Sequence, residues 1–128
     1  MLIAAVVFAG LAALVHVYIF VLESVRWEAP ATRRIFGTSE QEARVTKQLA
    51  ANQGVYNLML AIVTLVGIVL TFAVPAAGTA LMLAGTGSML GAALFLAATD
   101  PAKRRAATMQ GTFPLLAVLF TALALVLG

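Results

Sequence analysis

Four apolar runs and the placement of the basic residues between them constrain this chain more than any other feature. All eight Lys and Arg fall in two hydrophilic breaks: Arg26, Arg33, Arg34, Arg44 and Lys47 after the first run, and Lys103, Arg104 and Arg105 before the fourth. The N-terminus, the break around Pro75 and the C-terminal end carry none. Lys and Arg beside membrane spans are retained in the cytoplasm, so the pattern predicts four spans with the N-terminus out, loop one in, the Pro75 hairpin out, loop three in and the C-terminus out.

Composition agrees. Of the 128 residues, 62% are hydrophobic and 10% charged, and mean hydropathy is +1.04, outside the range of soluble globular domains. The length fits one domain. There is no cysteine, which excludes disulfides, thiolate chemistry and a Cys metal site, and the single His cannot build a histidine metal cluster. The net charge of +3 flanks apolar spans. It therefore reads as topology and not as nucleic-acid binding. The first run lacks a basic region ahead of it and a polar cleavage region behind it, so it is expected to persist as a helix rather than act as a signal peptide.

A spanning helix needs about 20 mostly apolar residues. The expected spans are 2–23, 48–73, 76–99 and 104–127, joined into an all-α four-helix membrane bundle with a long cytoplasmic loop over 24–47. Val74-Pro75-Ala76-Ala77-Gly78 reads as a tight hairpin, with glycine suited to the turn. Asp100-Pro101 reads as a helix start, Asp capping and Pro in the first turn. In loop one, Ser39-x-x-Glu42 is a capping box that starts the second long helix near Glu40. Arg26-Trp27 suits an interfacial anchor, and residues 31–37 suit a segment lying on the membrane surface.

Polar side chains inside spans ask for partners. His16 and Glu23 share a face of the first span, with His16 about 10 Å deeper. Asn52, Gln53, Tyr56 and Asn57 follow in the second, and Gln110 in the fourth, where Pro114 frees the Gln110 carbonyl from its helical donor. The topology puts all seven side chains in the cytoplasmic half, as a candidate ligand-binding set. The competing reading is interhelical glue, each group contributing on the order of 1 kcal/mol. In that reading Glu23 pairs with Arg26, and His16 donates to an Asn or Tyr. Gly85, Gly87, Ser88 and Gly91 form a small-residue face on the third span, suited to packing within the bundle or between protomers.

The strings His16-Val-Tyr18-Ile19, Glu23, Trp27, Phe36-Gly37, Leu49-Ala-Ala-Asn52-Gln53-Gly54-Val-Tyr56-Asn57 and Gln110-Gly111 with Pro114 resemble a small bacterial membrane-protein family, domain of unknown function 1304. The resemblance covers nearly the whole chain. It implies a four-helix integral membrane protein, with no established activity or ligand. A partial resemblance to membrane-associated eicosanoid and glutathione metabolism proteins rests on the long first loop, on Arg44 and Lys47 three apart, and on Asn52 four before Tyr56. That family has a Glu where this chain has Val55, and a fourth-span Tyr that is missing here. The resemblance implies an anionic cofactor, glutathione, held by Arg44, Lys47, Arg104 and Arg105 at the cytoplasmic mouth.

Three functions follow as expectations for a multi-pass protein of the cell (inner) membrane. One is a homo-oligomeric or complex-forming bundle with a polar ligand site. The others are a glutathione-dependent enzyme acting on a lipophilic substrate, and a proton-coupled small transporter titrating through His16 and Glu23.

Overall fold

Leucine- and alanine-rich runs of this length favour uninterrupted helix, because in hydrocarbon every backbone N–H and C=O must be satisfied within its own segment. The computed structural model describes residues 1–127, and among them no strand occurs. Helix α1 (Leu2–Phe20) continues through a single π-helical turn, Val21–Val25, and is followed by a short α2 (Pro30–Phe36). The long α3 (Glu40–Thr71) and α4 (Pro75–Thr99) come next, and a 3-10 turn, Pro101–Lys103, leads into α5 (Arg104–Leu127). Four of these helical stretches are long and apolar enough to cross a membrane.

The four long helices form a ring in the order α1, α3, α4, α5, with α1 and α4 meeting only lightly across the middle. The ends form as the local chemistry dictates. Ser39 Oγ accepts from the Glu42 amide at 3.2 Å and Glu42 Oε2 accepts from the Ser39 amide at 2.8 Å, which starts α3 at Glu40. Pro75 opens α4 three residues beyond Phe72. The Asp100 carboxylate accepts from the Ala102 amide at 3.1 Å and caps the 3-10 turn that feeds α5.

Small residues bring these helices together. Ala5 and Ala9 of α1, Met82 of α4 and Ala117 of α5 form one buried cluster, flanked by Phe8, which stacks on Phe120 with ring centroids 5.4 Å apart. Lipid offers no hydrophobic drive for helices to associate, so the contact energy is mainly dispersion, which falls off steeply with distance. Gly78 belongs to this packing and not to the hairpin turn the sequence suggests. It lies buried inside α4, and a Cβ there would collide with the Thr71 backbone. The glycine is needed for close approach, a requirement the turn signal around Pro75 masks.

In loop one, residues 31–37 pack onto the bundle. Thr32 and Phe36 of α2 are buried, and Phe36 packs with Ile19, Leu22 and Ala106 to close one end of the bundle. Gly37 ends α2 at φ 63°, a left-handed conformation that glycine adopts at little cost, and the chain then returns to α3. The closed end carries every basic residue and is termed the basic end below.

Candidate functional site

The π turn makes the site. One extra residue in the turn lets the Arg26 amide reach back to the Val21 carbonyl at 3.0 Å and swings Glu23 and Ser24 onto α3. Gly54 receives them, since a Cβ at Gly54 would strike the Ser24 hydroxyl and approach the Glu23 Cβ. Ser24 Oγ then donates to the Ala51 carbonyl at 2.9 Å. Asn57 Nδ2 donates to Glu23 Oε2 at 2.8 Å, and also to the Gln53 carbonyl of its own helix at 3.2 Å. Glu23 is left 9% exposed.

Beside this pair opens a cleft of about 530 Å³, walled by the π turn, Arg26 to Ala29, and α3 from Arg44 to Ala51. Arg26, Arg44 and Lys47 bring three cations to it, and Glu23 and Glu28 two carboxylates. Lys47 Nζ holds Glu28 at 2.6 Å, and Arg44 pairs with Glu40 at 3.2 Å. The Lys47 ammonium keeps the Glu28 carboxyl below its ordinary value of 4.5 by hydrogen bonding and charge. Trp27 forms part of the wall. Its indole N–H donates to Thr46 Oγ1 at 3.1 Å, and its ring leans on Phe36 at 5.2 Å. The anchor expected at the interface is thus folded against the bundle, half-buried.

Of the seven polar residues selected from the sequence, the structure joins two. Glu23 binds Asn57 and not Arg26, because the π turn directs the carboxylate at α3. His16 is buried at 1% exposure, but its Nδ1 bonds the Ala12 carbonyl of its own helix at 2.9 Å and not an Asn or Tyr. Asn52, Gln53 and Tyr56 lie on exposed faces of α3, Tyr56 at 66% exposure. Gln110 is half-buried, and its side chain has no hydrogen bond among the described residues. Pro114 is buried in α5 and the helix runs on to Leu127. The four candidate anion-binding residues divide as well. Arg44 and Lys47 line the cleft, whereas Arg104 Nε donates to the Ala97 carbonyl at 3.3 Å and Arg105 is exposed elsewhere. The small-residue face of α4 also splits. A Cβ at Gly85 would meet the Thr64 hydroxyl, while Gly87 and Gly91 face open space and exposed Ser88 donates to the Ala84 carbonyl at 2.7 Å.

A family model described as "Protein of unknown function (DUF1304)" matches residues 10–122. The chain belongs to the DUF1304 family. No curated protein and no solved structure matches the chain significantly. The DUF1304 match spans the π turn, α2 and the cleft-bearing segment of α3, so the whole candidate site lies inside the family's shared region. Sequence reasoning missed Ser24, Arg26 and Gly54 as site-forming residues. The Asn52-Gln53-Gly54 string was a signal for Gly54, since a glycine among polar groups marks a close approach.

Proposed function

We propose that this DUF1304 protein is a membrane-embedded binding protein whose ligand enters the cleft at the basic end. The positive-inside pattern supports a cytoplasmic position for that end, and the reading takes the membrane to be a bacterial inner membrane. One observation carries the reading: Glu23 is buried at the end of a span, is held by Asn57 and opens on a cleft. A buried carboxylate in a membrane helix is costly and marks a functional site by default. The outward Gly87 and Gly91 suit a second copy or a complex partner, which supports an oligomeric bundle. The test is extraction from native membranes followed by mass spectrometry of what co-purifies. A ligand retained by the wild type and lost in Asn57→Leu supports the cleft, and equal retention by both sinks it.

A glutathione-dependent enzyme is the second reading, supported by Arg44 and Lys47 lining the same cleft. It requires thiol conjugation by purified protein that Arg44→Ala abolishes.

A further inference from the structure

The cleft holds one acidic and one basic side chain that have no ion-pair partner among the described residues. Glu23 forms no ion pair among the described residues, although three cations line the same cleft. Its Oε2 is satisfied by Asn57, and Oε1 has no hydrogen-bond partner. Lys47 and Arg44 are engaged by Glu28 and Glu40 and do not turn to it. Arg26 is the converse case: it lines the cleft, is exposed, and its side chain makes no hydrogen bond or ion pair among the described residues. Glu23 lies in the π turn and Arg26 is the residue that follows it, so the two unpaired groups enter the cleft from one short stretch of chain.

A purely anionic ligand would face the Glu23 carboxylate, and a purely cationic one would face Arg26, Arg44 and Lys47. Like charges brought together in a partly desolvated site cost free energy, so both are disfavoured. We propose that the cleft takes a zwitterionic group, a primary ammonium joined by a short linker to a phosphate, with the ammonium on Glu23 and the phosphate on Arg26. An ammonium supplies donors for the free Oε1, and a guanidinium matches a phosphate with two parallel N–H donors. The charged walls give way to the apolar spans at this depth, which suits a lipid head group, and the soluble aminoethyl phosphate has the same chemistry. This inference rests on the cleft being a ligand site.

Trp27 is the one tryptophan of the chain and lines the cleft, so its emission reports occupancy directly. Purified protein in neutral detergent is titrated with short-chain phosphatidylethanolamine, short-chain phosphatidylglycerol and soluble aminoethyl phosphate. The expected result is a saturable Trp27 shift with phosphatidylethanolamine at roughly tenfold lower concentration than with phosphatidylglycerol, the order of one charge-assisted hydrogen bond. Glu23→Gln should erase that preference and leave the phosphatidylglycerol response in place. Arg26→Gln should weaken both lipids and carries the test alone if Glu23→Gln does not fold. Saturation by aminoethyl phosphate at a similar concentration identifies a free zwitterion as the ligand, and a response to the lipid alone identifies a head group. A phosphatidylglycerol response equal to or stronger than that of phosphatidylethanolamine, or a preference unchanged in Glu23→Gln, overturns the zwitterion while leaving a ligand cleft. A Trp27 signal unmoved by all three probes overturns both.

Discussion

The two ends of this bundle are held together by different means. Toward the Pro75 hairpin, buried hydroxyls look inward to their own helices: Thr64, Thr71, Thr86 and Thr121 each donate to the carbonyl four residues earlier, at 2.6–2.8 Å. Among the described residues no polar side chain links helix to helix there, and adhesion comes from close approach at Gly67, Gly78 and Gly85. At the basic end the polar side chains reach across. Ser24 bonds Ala51, Trp27 bonds Thr46, Asn57 bonds Glu23 and Arg104 bonds Ala97. The hairpin end is thus a steric joint, and the basic end is a polar one with a cleft beside it. Glycine contacts bring the α3 and α4 backbones together at one end, whereas at the other directed hydrogen bonds tie the helices beside a cleft.

Substitution of Gly78 should break the steric joint most severely. Its Cβ would meet backbone, which cannot swing aside, so Gly78→Val is expected to lower stability by about 3 kcal/mol or more, at the top of the overpacking range. Thermal unfolding in detergent measures this, and Gly87→Val is the internal control, since open space there predicts little change. A Gly87 variant as damaged as the Gly78 one would show that the outer face of α4 is covered by a second copy.

The polar joint should yield less. Asn57→Leu strips Glu23 of its one hydrogen-bond donor among the described residues, and the expected loss is about 1 kcal/mol, the range of membrane-helix hydrogen bonds. A double-mutant cycle with Glu23→Gln isolates the pair, and a coupling energy near zero would mean that Asn57 does not hold the carboxylate. Smaller still is the effect expected at Thr121. Thr121→Val keeps the shape and removes a bond made only within α5, so a cost under about 0.5 kcal/mol is expected in the same unfolding assay.

The smallest effect concerns pH. Because Lys47 lowers the Glu28 carboxyl in the folded state, their attraction contributes fully above the unfolded value near 4.5. It is lost as pH falls through the lower folded value. Both groups are exposed, so solvent and salt screen the pair. The NMR titration of Glu28 should move up toward 4.5 in Lys47→Met, and an unchanged midpoint would remove Lys47 as the cause.

Much of this architecture is written locally. Span lengths follow from apolar runs, the start of α3 from Ser39 and Glu42, the third loop from Asp100-Pro101, and each depends on residues within one or two turns of each other. The site was legible in part. Glu23 and Asn57 stood out as polar groups in apolar surroundings, but so did His16, Asn52, Gln53, Tyr56 and Gln110, and periodicity does not say which face of a helix meets a neighbour. The π turn altered that geometry for Glu23, since one extra residue per turn rotates everything beyond Phe20.

Hydropathy and capping chemistry were enough to specify four long helices and their breaks, because satisfaction of the backbone in lipid is settled within each segment. The division of labour among chemically similar residues needed the packed molecule. Gly54, Gly78 and Gly85 are interhelical contacts while Gly87 and Gly91 are open surface, and of the polar set only Asn57 reaches Glu23. Dispersion and hydrogen bonds act over a few ångströms, so partners distant in the chain, such as Glu23 and Asn57, acquire their roles only when the helices meet.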